Sequence, residues 1–409
     1  MKFLTWAWPL ISLGILGLAP WIFSSSSALT LLSQMGIAIL ICQSFQLLWS
    51  QGGMLSFGHA IYVGAGTFLT IHSLKLIGAG QLNFPVILVP LLGGFAGLLL
   101  AILLGWITTR RAGTALAMIS LGLGELVWSI ALMWPEAFGG EGGLSANRVV
   151  GHAPWGLTLA SALQMYGLIA AYTLAGTLLL AGFVQTPMGR LLNAVRDNAE
   201  RVAFLGYNPH VIRYGAFLLA GFIAGVAGGL AALNHEIFTT DMLHAERSGS
   251  YLLFTVLGGS SLLLGPLMGG VLMVLCLSLL SAYTPAWMLY VGVLFMGVVM
   301  FMPGGLSGGL IQRVQSQKRA MDWHRCWPGC LRLVAVVCIM AGMVAMIEMT
   351  YHLPQLMVLG PQLERMGWLL DVQDMAPWWV SAGLVLMGTV LLLWLRPTQH
   401  AQEAKEPQP

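Results

Sequence analysis

Charged residues are scarce in this chain. Lys, Arg, Asp and Glu together make up 8% of its 409 residues, where a soluble globular protein carries about a quarter. A soluble fold of this length cannot cover its surface with so few charges. The 18 basic and 15 acidic residues leave a net charge of only +3, so nothing points to a nucleic-acid face. The sequence has no G-x-x-x-x-G-K-[ST] phosphate loop and no H-E-x-x-H, the motifs that would bring nucleotide binding or zinc proteolysis. Its nine histidines are scattered. No catalytic residue and no cofactor is expected. Cysteine is sparse too. Cys42 and Cys276 sit in apolar runs and read as small core residues. Cys326 and Cys330 form a C-x-x-x-C pair in a basic stretch, which is neither zinc nor redox spacing, and no second pair matches it. No metal site is expected.

Apolar residues are abundant instead: 57% of the chain, with a mean hydropathy of +0.82. This composition describes an all-α, polytopic helical membrane protein, in which lipid covers the surface that water would otherwise meet. Apolar runs fall at about 6–22, 28–48, 55–74, 84–106, 114–133, 162–184, 214–234, 251–264, 266–282, 287–302, 331–350 and 377–395. These are about 12 segments, some broken by glycine. The run at 251–264 is too short for a straight span and must be broken, tilted or re-entrant.

If the N-terminus is cytoplasmic and each run crosses, the cytoplasmic side holds Lys2, Arg110, Arg111, Arg190, Arg196, Arg201, Arg213, Arg313, Lys318, Arg319, Arg325, Arg332, Arg396 and Lys405. The other side holds only Lys75, Arg148, Arg247 and Arg365. This positive-inside bias places both termini and the 185–213 loop in the cytoplasm, and the 134–161 and 351–376 loops outside. Trp134, Trp155, Trp368, Trp378 and Trp379 fall near span ends, where an interfacial aromatic belt forms.

The cytoplasmic loop TPMGRLLNAVRDNAERVAFLGYNPHVIR, from Thr186 to Arg213, predicts a short amphipathic helix over 187–206. Thr186 and Pro187 suit N-cap and N1, and Gly206 suits a left-handed C-cap. Leu191, Leu192, Val195, Ala199, Val202 and Leu205 form one apolar face, while Arg190, Arg196, Asp197, Glu200 and Arg201 occupy other positions. Two readings stand: a helix resting on membrane lipid, or a docking helix for a soluble partner. Charges of both signs favour a protein over anionic lipid.

Several stretches, in order from about residue 30 to 312, resemble the LivM-type branched-chain amino-acid permeases of ABC importers. MLSFGHAIYVGAG (Met54–Gly66) is similar to their LSLGHAAFFGIGAY-like segment. ISLGLGELVWSIALMWPEAFGGEGGLS (Ile119–Ser145) is similar to their TLAFGEI segment and the following T-G-G-x-x-G-L-S loop. VLGGSSLLLGPLMGG (Val256–Gly270) and MFMPGGLSGGL (Met300–Leu310) are similar to their VLGGLGSLWGPVLGA and FFPRGLAGLL segments. Glu200 and Gly206 resemble the E-A-A-x-x-x-G loop of ABC permeases, with Arg201 and Val202 where the two alanines would stand.

The resemblance implies a transport subunit without enzymatic activity of its own. It implies two cytoplasmic ATPase subunits gripping a docking helix that includes Gly189, Arg190, Arg196, Asp197, Glu200, Arg201 and Gly206. It also implies a second, LivH-like permease and a periplasmic solute-binding protein, in a bacterial inner membrane. The substrate would be a branched-chain or other hydrophobic amino acid, or alternatively urea or a short amide. A secondary transporter would show ionisable residues in several spans, and a purely structural subunit would not need glycine-broken segments. Residues 1–312 form the permease core on this reading, and 313–409 a C-terminal extension with a basic linker and two more spans.

Translocation-pathway candidates come from the two glycine-interrupted runs. Ser56, Gly58 and His59 lie in one, Gly258, Gly259 and Gly265 in the other, and Glu125 is a carboxyl within a predicted span. Broken helices at corresponding places in two halves point to a midplane pathway, and glycine also serves close packing. Glu125 and His59 are costly in lipid. Each is either functional or structural: Glu125 a helix-tying carboxyl, His59 a ring satisfying a free carbonyl. Gly221, Gly225 and Gly229 form a G-x-x-x-G-x-x-x-G stripe for helix packing, within the chain or with a second subunit.

Overall fold

The computed structural model describes residues 17, 20–23, 25–150, 158–259, 264–302, 304–309, 323–353, 362–365, 368–371 and 374–394. The predicted first span at 6–22, Trp155 and the linker residues 313–322 lie largely or wholly outside these, as do both chain ends. The chain forms two compact units. One holds the described residues up to Leu277 together with 294–309. The other joins 278–293 to the described residues beyond 312.

The first unit is a bundle of long apolar helices. They are α1 (Ser26–Gln46), α2 (His59–Gly78), α3 (Val89–Thr108), α4 (Thr114–Met133), α5 (Ala162–Gln185), the short α6 (Pro187–Asp197) and α7 (Ala199–Phe204), α8 (Pro209–His235), α9 (Ala245–Gly258) and α10 (Leu264–Val274). Helix α11 (Trp287–Phe301) is shared, its residues up to 293 belonging to the second unit and the rest to the first. Among the described residues seven helices are long and apolar enough to cross a membrane, and 287–300 and 375–391 form shorter apolar helices. The chain is therefore an all-α polytopic protein, and its described residues hold seven helices of spanning length. The short run at 251–264 is a broken one, as its length requires. There α9 has 14 residues, about 21 Å of helix against about 30 Å of hydrocarbon, and it stops at Gly259.

Helix α8 is the axis of this unit, because one face lets backbones touch. A Cβ on Gly225 would strike the Gly93 carbonyl, one on Gly221 would stand 2.6 Å from Ala101 Cβ, and one on Gly229 would stand 2.8 Å from Pro90 Cα. The glycine stripe thus packs inside the chain, against α3. Its counterpart is Gly93, Gly94 and Gly97 on α3, and the sequence reading did not single these out. The same helix meets α2, where Thr67 Oγ1 donates to the Gly228 carbonyl at 3.0 Å.

Two short strands tie loops together. β1 (Leu144–Ser145) pairs antiparallel with β2 (Ile237–Phe238), Leu144 opposite Phe238. Arg148 reinforces the tie: its backbone N–H donates to Glu236 Oε1 at 3.0 Å and its Nη1 to the Leu233 carbonyl at 3.3 Å. The loops after α4 and after α8 therefore lie at the same end of the helices. The α6–α7 segment sits at the other end of α5 and α8.

The second unit contains α12 (Trp323–His352), β3 (Gln362–Arg365), β4 (Trp368–Asp371) and α13 (Met375–Trp394). Helices α12 and α13 pack closely where a Cβ on Gly342 would stand 2.6 Å from the Ser381 carbonyl. The side chains of Cys326 and Cys330 fall outside the described part of α12.

Candidate functional site

The first glycine-broken run is a true interruption. α1 continues as a π-turn over Leu47–Gln51 and ends at Gly52, Gly53 takes φ +62, and α2 starts only at His59. The break lies against α4. A Cβ on Gly58 would strike the Ser120 carbonyl, and the Phe57 N–H is held by Ser120 Oγ at 3.0 Å. On the far side, Ser248 Oγ accepts the Ala60 N–H at 2.8 Å, so α9 also closes on the start of α2.

His59 is fully buried. Its Nε2 lies 2.8 Å from Ser44 Oγ, and the Ser44 hydroxyl gives its own proton to the Ile41 carbonyl at 2.7 Å. His59 Nε2 is therefore the donor to Ser44, and Nδ1 is left without a partner. The ring meets Phe45 and Tyr62 edge-on, with centroids 5.1 and 6.0 Å away. The partner is thus a hydroxyl of the preceding helix, not the freed backbone carbonyl anticipated from the sequence. Ser56 beside it is buried, with an unpartnered Oγ.

The second break starts at Gly259, whose φ of +107 belongs to glycine. Helices α9 and α10 fold back on each other there: a Cβ on Gly258 would strike the Gly265 carbonyl, and one on Gly265 the Gly259 carbonyl. Gln46 Nε2 on α1 donates to the Gly259 carbonyl at 3.2 Å. One buried amide, immediately before the π-turn, therefore joins the two interruptions. Sequence reasoning passed over Gln46 because an uncharged amide does not stand out in an apolar run.

Glu125 lies apart from this seam. It is half-exposed on α4, and among the described residues it has no hydrogen bond or ion pair. Its helix presents Met118, Leu126 and Met133 outward. A crevice of about 440 Å³ near α4, lined by Phe68, Phe95, Leu99, Val127, Phe138 and Phe238 among others, is almost wholly apolar and unsuited to a polar solute.

The predicted amphipathic helix is two helices. Asn198 takes extended φ −158 and ψ 100, ends α6 and caps α7 by accepting the Arg201 N–H at 2.9 Å. The sequence reading ran the two together because Asn in a periodic run does not announce a break. Thr186 caps α6 by accepting the Gly189 N–H at 3.2 Å. At the far end Gly206 has φ +87, its N–H meets the Ala203 carbonyl at 2.9 Å, and the Tyr207 N–H meets the Val202 carbonyl at 3.3 Å. This is a Schellman cap.

Leu192, Val195 and Val202 are buried as expected, but Leu205 is 70% exposed and Phe204 91%. Arg190, Asp197, Glu200 and Arg201 are exposed. Gly189 packs on the end of α5, where a Cβ would strike the Phe183 carbonyl. Arg196 is exposed too, yet it reaches back: it donates to the Ser50 carbonyl through Nη1 and to Asp197 Oδ1 through Nε and Nη2 at 3.0 and 2.9 Å. Gly189 therefore serves internal packing, and Arg196, although exposed, bonds back to the end of the π-turn.

Another membrane carboxyl was missed. Glu348 on α12 is 9% exposed; its Oε1 accepts from Tyr290 Oη at 2.9 Å and from Thr284 Oγ1. The signal was a glutamate near the end of the 331–350 apolar run.

A family model, described as the branched-chain amino acid transport system permease component, matches residues 27–303. The chain belongs to this permease family. It is 23% identical to the high-affinity branched-chain amino acid transport system permease protein LivM of Escherichia coli, covering 73% of this chain and 72% of that one. It is 24% identical to a probable branched-chain amino acid transport permease protein LivH of Methanocaldococcus jannaschii, over 60% of this chain and 78% of that one. It is 26% identical to the autoinducer 2 import system permease protein LsrC of Salmonella typhimurium, over 73% of this chain and 81% of that one. No solved structure matches. This permease is a multi-pass membrane protein of a family of transport subunits, and both helix breaks and the α6–α7 loop fall within the matched residues.

Proposed function

We propose that this chain is the LivM-like permease subunit of an ABC importer in a bacterial inner membrane, moving branched-chain or other hydrophobic amino acids into the cytoplasm. The observation that carries the reading is the family match across 27–303. Two ATPase subunits supply the energy by docking on the cytoplasmic α6–α7 loop. A second, LivH-like permease completes the pathway, and a periplasmic binding protein delivers the solute. The exposed end of α7 supports the docking role: Phe204, Leu205 and Tyr207 project from a segment that also exposes Glu200 and Arg201. Such an apolar knob with a charged rim fits a protein groove. The half-exposed carboxyl of Glu125 is costly against lipid, so it faces the second permease or the aqueous route.

The experiment is uptake of labelled leucine by cells carrying the full set of importer subunits, with and without this chain. Leucine uptake independent of this chain would sink the substrate assignment. The likeness to an autoinducer 2 import permease favours a second reading, a different small polar solute, and competition by unlabelled solutes, urea and short amides included, separates the two. Glu125→Leu should reduce uptake more than Glu125→Gln, which retains hydrogen-bonding capacity. Undiminished transport by the Leu variant would remove Glu125 from both proposed roles.

A further inference from the structure

The side chains of α6 face two ways, and the inward set does something that docking does not require. Asn193 Nδ2 donates to Gln51 Oε1 at 2.9 Å. Arg196 Nη1 donates to the Ser50 carbonyl, while Asp197 occupies the other edge of the guanidinium and fixes its orientation. A Cβ at position 52 would stand 3.4 Å from Leu192 Cδ1, and one at position 53 would stand 2.8 Å from Arg196 Cγ. α6 is thus seated on four successive residues, Ser50 to Gly53, where α1 comes apart. Carbonyls at a helix C-terminus lack intrahelical partners and favour a cation, so the guanidinium suits this place.

Ser50 is one helical turn beyond Gln46, whose amide holds the Gly259 carbonyl of the second break. Gln51 is eight residues before His59. A displacement of α6 therefore bears on both interruptions through side-chain contacts of one helix end. Coupling of this kind travels through contiguous packed and hydrogen-bonded elements.

We propose that Asn193 and Arg196 are positioning residues that join α6 to the two helix breaks and transmit the movement of a docked ATPase, without holding the ATPase themselves. The proposal rests on the reading that ATPase subunits dock on the α6–α7 loop. The gripping contacts then belong to the outward residues of α7, and α6 is the lever.

The test uses the assembled importer with three variants, Asn193→Ala, Arg196→Ala and Gln51→Leu. Gln51→Leu removes the Asn193 acceptor and leaves α6 itself unchanged. The expected result is normal co-purification of the ATPase subunits, continued ATP hydrolysis, and uptake per unit of membrane-inserted permease lowered about fivefold or more. Arg196→Lys, which keeps a donor for the Ser50 carbonyl, should recover part of the uptake. Uptake within about twofold of wild type in both Arg196→Ala and Gln51→Leu would overturn the proposal, since that range is smaller than such couplings. So would a loss of ATPase subunits in step with uptake, which would make these residues docking contacts, or a fall in uptake explained wholly by lower membrane abundance. If the wild-type permease brings down no ATPase subunit, the docking reading itself fails, and this inference falls with it.

Discussion

Ser44 has a single hydroxyl proton and uses it on the Ile41 carbonyl, which leaves its oxygen as acceptor for His59. Ser44→Ala would bury the His59 N–H without a partner, at a cost of about 1–3 kcal/mol. The expected outcome is a lower thermal unfolding midpoint of the detergent-solubilised protein, and an unchanged midpoint would show that the contact contributes nothing. Gly225 poses a different constraint. A Cβ there runs into the Gly93 carbonyl of α3, so Gly225→Val must push two helices apart. Overpacking of this kind costs roughly 1–3 kcal/mol or more, and the variant should be depleted from membranes. Normal abundance and an unshifted midpoint would mean that α3 and α8 have more room than the structure describes.

At the scale of elements, α7 depends on its two caps more than on its length, since six residues form no stable helix alone. Gly206 carries the Schellman geometry at φ +87, with nothing within 4 Å of where a Cβ would stand. Gly206→Val is therefore disfavoured by backbone conformation alone, by about 1–2 kcal/mol. It should frays the end of α7 without touching the spans, so membrane insertion stays normal while ATPase co-purification and uptake fall. Glu200→Arg tests the same surface by charge and should act in the same direction. If both variants keep their ATPases and full transport, the α6–α7 loop is an interfacial element only.

The second unit, at the scale of the molecule, buries a carboxyl on α12. Glu348 is satisfied by two hydroxyls from the 278–293 segment, Thr284 and Tyr290. Glu348→Leu removes the shared acceptor, so the proteolytic resistance of the C-terminal segment should drop. Glu348→Gln should preserve most of it, because its amide oxygen still accepts. Equal resistance in the Leu variant would show that the carboxyl does not fasten this segment. Topology is tested at this scale too. In a background lacking native thiols, Asn198→Cys should resist an impermeant reagent applied from outside, whereas a cysteine at position 145 should react. Outside labelling at 198 would reverse the orientation.

The sequence by itself determined the class of this protein, because composition and apolar run length answer only to the bilayer. It determined most helix positions, the caps at Thr186 and Gly206, and the two glycine-rich interruptions, all of which depend on local chemistry. Only the tertiary structure decided what these features face. The Gly221–Gly229 stripe needed a partner before its role was fixed, and that partner, on α3, lies more than a hundred residues earlier. Arg196 and Glu200 look alike in a helical pattern, yet one binds the end of α1 and the other faces solvent. Gln46 and Glu348 were legible as letters, but a side chain's partner depends on which distant backbone the fold brings beside it, and no local periodicity carries that information.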